Sequence, residues 1–126
     1  GAVLILSGGA LGEELEGLAA ESQIPLNSRH IIGFISDPEE IQNTQFGFAL
    51  SALGDVNADG RPDLIVGAKD ASMSGSLRGG AAYVYLGREE PFDSDTAPDI
   101  VIAGQRLRAD SGFGSSVAGG FSSSWP

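Results

Sequence analysis

The apolar residues of this chain come in short bursts, not in long helical stripes. The runs fall at Ala2–Leu6, Ile31–Phe34, Phe48–Leu53, Leu64–Ala68, Ala81–Leu86, Ile100–Ala103 and Gly114–Ala118. Most are rich in Val, Ile, Tyr and Phe, and they are bounded by Gly, Pro, Asn, Asp and Ser. That combination predicts buried strands separated by turns. No run is long enough for a transmembrane helix, which needs about 18 or more apolar residues.

Between the third and fourth runs stands Asp55-Val56-Asn57-Ala58-Asp59-Gly60-Arg61-Pro62-Asp63. Oxygen-bearing side chains fall at loop positions 1, 3, 5 and 9, and a glycine falls at position 6. Ca²⁺ takes about 6–8 oxygen ligands at roughly 2.3–2.6 Å, and a short loop wraps it by pointing alternate residues inward. Gly60 permits the sharp turn, and Arg61 offers its backbone carbonyl. Three carboxylates this close in sequence repel one another unless a cation lies between them. The candidate metal ligands are therefore Asp55, Asn57, Asp59, Arg61 through its carbonyl, and Asp63. The competing reading is an Asn/Asp/Gly-rich surface turn.

The flanks decide which kind of loop this is. An EF-hand requires a bidentate Glu at position 12 and helices on both sides, but position 12 is Val66 and both flanks predict strands. A dockerin would continue into a helix with its last acidic ligand later than Asp63, and Pro62 opposes that. A β-hairpin whose connection is a metal loop is the remaining arrangement.

Phe46-Gly47, the loop, Asp63-Leu64-Ile65-Val66-Gly67-Ala68 and Gly80-Ala81-Ala82-Tyr83-Val84-Tyr85-Leu86-Gly87 together resemble one FG-GAP repeat. This is the blade unit of integrin-α-type β-propellers. One departure is Lys69, where the family usually has proline. The resemblance implies an all-β fold of antiparallel four-stranded propeller blades, incomplete in this chain. Internal repetition agrees: Phe113-Gly114 recurs after Phe46-Gly47, Val101-Ile102-Ala103-Gly104 parallels His30-Ile31-Ile32-Gly33, and Gly80–Tyr85 parallels Gly1–Leu6. Unequal spacing is what loops of different length between constant strands produce. The expected organisation is the end of one blade with long loops over 1–45, a complete blade with the calcium loop over 46–104, and the start of a further blade over 105–126. A propeller closes with roughly 4–8 blades, so a longer protein or an assembly is expected. Trp125 reads as a stray tail residue.

Composition narrows the function. Seven Lys and Arg against 17 Asp and Glu give a net charge of −10, which opposes binding to nucleic acid or anionic lipid. There is no cysteine, so disulfides and thiolate metal sites are excluded. His30, the single histidine, lacks the partners that zinc chemistry requires. Neither a nucleophile elbow for a Ser72- or Ser115-based triad nor a phosphate loop after Gly8-Gly9 or Gly79-Gly80 is present. The chain reads as a non-enzyme. Acidic runs at 13–16, 37–40 and 93–99 read as solvated loops, with additional calcium left open.

The resemblance implies a structural calcium ion and a parent protein, extracellular or at the cell surface, that acts in adhesion or ligand recognition. Its partner would be a protein or glycan held on a surface distant from the calcium loop. Membrane insertion is not expected, and self-association through open blade edges is. The alternative is a propeller that accompanies a secreted, phospholipase-like hydrolase. A dockerin-type module is a weaker third reading.

Overall fold

The computed structural model describes residues 1–16, 31–39, 43–73, 78–103 and 108–120. His30, Glu40 and Trp125 lie outside the described residues. Among the described residues, six strands and one helix follow in chain order: β1 Ala2–Leu6, α1 Gly8–Leu15, β2 Ile31–Ser36, β3 Phe46–Gly54, β4 Asp63–Ala68, β5 Ala81–Tyr85 and β6 Ile100–Ile102. β1 and β2 form a two-stranded sheet, and β3-β4-β5-β6 form a four-stranded one, with antiparallel pairing throughout. Among the described residues the fold is all-β apart from α1, and the second sheet has the make-up of a propeller blade.

Local expectations are corrected at three places. The acidic run after the first strand is not a loop: Glu13 and Glu14 fall within α1. Ser7 starts the helix by accepting the Ala10 N–H on its hydroxyl at 3.2 Å, satisfying a donor that the first turn leaves over. Residues 114–118 are not a strand. Gly112 and Gly114 are left-handed, and the Ser115 N–H turns back to the Gly112 carbonyl at 3.0 Å. Phe113 makes an isolated parallel bridge to Gly80. Elsewhere the strands follow the apolar runs to within two residues, β3 starting at Phe46, β2 reaching Ser36, and β5 and β6 ending one residue early.

The register assigns the faces. Leu64 lies opposite Tyr85, Val66 opposite Tyr83 and Ala68 opposite Ala81, so these six share one face of the second sheet. That face meets Val3 and Ile35 of the first sheet, and Phe46 closes the cluster. Phe46 packs tilted on Tyr83 with centroids 5.7 Å apart and edge-on to Tyr85 at 6.5 Å. Both tyrosines are buried, at 1% and 0% exposure.

The two Phe-Gly pairs dock alike. Gly47 and Gly114 have φ of +85° and +87°, a conformation side-chain-bearing residues resist. A Cβ on Gly1 would collide with the Phe46 carbonyl oxygen, and one on Gly80 would collide with that of Phe113. Each Phe-Gly backbone is thus laid against a glycine at the start of an earlier strand.

The Asp37–Glu39 region is not the exposed loop that its charge suggests. Asp37, with a side chain only 9% exposed, accepts the Thr44 hydroxyl and, at 3.1 Å, the Glu39 N–H. The Tyr83 hydroxyl donates to Glu39 Oε1 at 2.6 Å. Burial, then the Glu39 hydrogen bond and its charge, raise the Tyr83 phenol far above its ordinary value. Burial and the charges of Asp37 and Asp99 push Tyr85 up to about 12. The Tyr85 hydroxyl has no hydrogen-bond partner among the described residues.

The two tyrosines should therefore respond differently to loss of the hydroxyl. Tyr83→Phe is expected to destabilise by about 1.5–3 kcal/mol in urea unfolding, since it removes a donor to a charged acceptor. Tyr85→Phe should be neutral or stabilising, because an unpaired buried hydroxyl is removed. Alkali gives a second test. Tyr85 ionises near 10 when unfolded and at about 12 when folded. Its contribution is fully present below pH 10 and is lost as pH rises toward 12, at up to about 1.4 kcal/mol per pH unit. Urea unfolding at about pH 9 and pH 11 checks this, and Tyr85→Phe should flatten the fall.

Candidate functional site

β3 and β4 pair as a hairpin, with Gly54 opposite Asp63, and the loop between them carries the acidic motif. The sequence turns this segment by local hydrogen bonds. Asp55 accepts the Asp59 N–H on Oδ1 at 3.0 Å and the Gly60 N–H on Oδ2 at 2.7 Å. Asp59 accepts the Arg61 N–H at 2.8 Å and the Asn57 side-chain amide at 3.1 Å. These are the turn-forming habits of Asp and Asn. Gly60 supplies φ of +83°, and Ala58 also takes a left-handed conformation, at +59°. Residues 55–60 are exposed.

Asp63 differs from the other loop carboxylates. It is the first residue of β4 and only 2% exposed. Its Oδ2 accepts the Val56 N–H at 2.7 Å and its Oδ1 accepts the Gly87 N–H at 2.7 Å. One carboxylate thus ties the start of the loop to the residues just after β5. A Cβ on Gly87 would lie 2.5 Å from the Pro62 carbonyl oxygen and 2.7 Å from Arg61 Cβ, so only glycine lets these segments lie so close.

The loop brings the five sequence-derived candidates onto one short connection. Among the described residues, no three Asp, Glu, His or Cys side chains converge as a ready-made metal cage. The donor chemistry nonetheless fits a hard cation. Asp55, Asp59 and Asp63 each use two hydrogen bonds, while a carboxylate offers about four acceptor sites. Asn57 and the Arg61 carbonyl add neutral oxygens of the kind Ca²⁺ takes.

Sequence reasoning missed the partners of the flanking charges. The Arg61 guanidinium pairs with Glu89 at 2.9 Å, well exposed. Lys69, the residue in the family's proline position, pairs with Asp70 at 3.3 Å and lies 5.0 Å over the Phe48 ring. Two carboxylates of the 93–99 run also have partners. Asp93 accepts the Asp95 N–H at 3.0 Å, and Asp99 accepts the Leu86 N–H at 2.8 Å and Arg88 at 3.0 Å. Only the Gly87 partner had a signal in the sequence, as the last glycine of Gly80–Gly87.

The FG-GAP repeat family profile matches residues 46–85, which are β3, the acidic loop, β4 and β5. Residues 46–85 are an FG-GAP repeat. Integrin alpha-2 of Bos taurus is 41% identical over 56 residues, 44% of this chain and 4% of that protein. Integrin alpha-10 of Homo sapiens is 39% identical over 84 residues, 65% of this chain and 7% of that protein. Phosphatidylinositol-glycan-specific phospholipase D of Homo sapiens is 39% identical over 69 residues, 55% of this chain and 8% of that protein. The chain matches less than a tenth of the length of each. In this FG-GAP repeat the acidic loop joins the first two strands, and Tyr83 and Tyr85 of the closing motif build the buried face.

Asp63 should matter to the hairpin even without metal. In EGTA, Asp63→Ala is expected to cost about 1–3 kcal/mol for each N–H it leaves buried and unpaired. Asp59→Ala, on the exposed turn, should cost less than about 1 kcal/mol. Urea unfolding of both variants in EGTA checks the difference.

Proposed function

We propose that this chain is a calcium-binding FG-GAP module of a cell-surface or secreted protein, with the ion serving structure and not chemistry. The observation that carries the reading is the hairpin connection that holds Asp55, Asn57, Asp59, the Arg61 carbonyl and Asp63 within a repeat similar to integrin alpha chains. Bound Ca²⁺ would screen the three carboxylates. The chain's own residues set the rest: Gly60 turns the loop, Asp55 gathers the Asp59 and Gly60 amides, and Asp63 anchors the loop to the sheet.

The parent protein would act in adhesion or extracellular recognition, engaging a protein or glycan on a surface away from this loop. A net charge of −10 supports a partner other than nucleic acid. Among the described residues no helix is long and apolar enough to cross a membrane. Exposed Ile100, Val101 and Ile102 on edge strand β6 support self-association through an open edge. Similarity to a phosphatidylinositol-glycan-specific phospholipase D supports a second reading, a propeller beside a hydrolase domain. The domains encoded next to this segment in the parent reading frame discriminate the two.

Calcium at about 100 times its dissociation constant should stabilise the chain by roughly 2.7 kcal/mol, and Asp59→Ala should abolish that gain. Thermal unfolding in CaCl₂ and in EDTA measures it. An identical Tm in both buffers for the parent chain would falsify the structural-ion reading. Light scattering of the same samples reports association, and a monomer at every concentration removes that part of the proposal.

A further inference from the structure

We propose that residues 87–99 are a strap through which cation occupancy of the 55–63 loop tightens the junction between the two sheets; this rests on the calcium reading above. One end of the strap is fixed to the loop. The Gly87 N–H donates to Asp63 at 2.7 Å, and Glu89 pairs with Arg61 at 2.9 Å. The close approach of Gly87 to Pro62 and Arg61 makes the contact one of backbone on backbone. Arg61 and Asp63, the two loop residues that hold the strap, are also two of the five candidate ligands.

The other end is fixed to the first sheet. The Phe92 carbonyl accepts the Phe34 N–H of β2 at 3.0 Å. The Phe92 ring packs edge-on to Tyr85 at 6.2 Å, and the Arg88 guanidinium lies 5.1 Å above it. Arg88 also pairs with Asp99 at 3.0 Å, and Asp99 donates its N–H to the Val84 carbonyl at 2.9 Å. The base of the strap is thereby closed onto β5. Beyond Phe92, Asp93 and Thr96 form a tight turn, the Asp93 N–H donating to the Thr96 hydroxyl at 2.9 Å. Ser94–Ala97 then faces Ser36, Asp37 and Pro38 across a cleft.

The physical route is short and continuous. A cation held by the Arg61 carbonyl and Asp63 restricts the two groups on which Gly87 and Glu89 rest. Fewer loop conformations then compete with the seated strap, and the Phe92–Phe34 bond opens less often. Coupling of this kind needs no displacement, only a loop whose ordering both sites share. It is also reciprocal, so a seated strap favours the occupied loop.

Amide exchange on the full chain in CaCl₂ and in EGTA, with calorimetry of CaCl₂ binding, tests the strap. The Phe34 amide is the readout, and the Val66 amide inside the second sheet reports overall unfolding. Saturation with calcium should slow Phe34 exchange by at least ~5-fold beyond any change at Val66, the lower end of usual coupling. Gly87→Ala, which forces Gly87 away from Pro62, should still take up calcium while Phe34 no longer responds. If Gly87→Ala fails to fold, Glu89→Ala carries the comparison, its side chain being 84% exposed. A reduced Phe34 response supports the strap, and a full parental response overturns it. A parent chain that takes up calcium while Phe34 exchanges equally in both buffers overturns the strap and leaves the calcium reading standing. A parent that takes up no calcium overturns both.

Discussion

A single buried carboxylate holds the hairpin end of the second sheet together. Asp63 stands where an exposed acidic loop becomes a buried strand, and each of its oxygens accepts a main-chain N–H, from Val56 and Gly87. A charge taken from water is costly unless it is hydrogen-bonded, so the loop start and the end of β5 are both held to it. The hairpin geometry, the approach of Gly87 and the position of Glu89 beside Arg61 all follow from where Asp63 sits. The other carboxylates of the loop are exposed and organise only the turn itself.

The junction between the sheets obeys a different rule. Its apolar part is Val3 and Ile35 against Phe46, Val66, Tyr83 and Tyr85. Its polar part is a chain in which Tyr83 donates to Glu39, and Asp37 accepts both the Glu39 N–H and the Thr44 hydroxyl. The Thr44 hydroxyl in turn accepts the Phe46 N–H at 3.2 Å. Donors meet both Asp37 oxygens and Glu39 Oε1, and the phenols keep their protons because the surroundings are apolar and negative.

Strand positions and the turn at 55–63 were legible in the sequence because both are local patterns. Alternating or continuous apolar runs mark strands, and ligand spacing with Gly60 marks the turn. What was not legible depends on residues distant in the chain. Nothing in Asp37-Pro38-Glu39 announces Tyr83 as its partner, 44 positions on from Glu39. Arg61 was read for its carbonyl, and its guanidinium found Glu89 only through tertiary structure. The error at 13–16 came from weighing charge above the Ser7 cap. The error at 114–118 came from extending a repeat parallel into a segment that lies against β3 and β4 without forming a ladder with either.

The docking of each Phe-Gly pair on an earlier glycine has a geometric consequence. Phe46 and Phe113 present carbonyl oxygens to Gly1 and Gly80, where no Cβ could fit. The gap between each Phe-Gly pair and the glycine it docks on is therefore set by the thickness of bare main chain, like a spacer of fixed gauge. Side chains elsewhere can change and connecting loops can lengthen while that spacing stays the same.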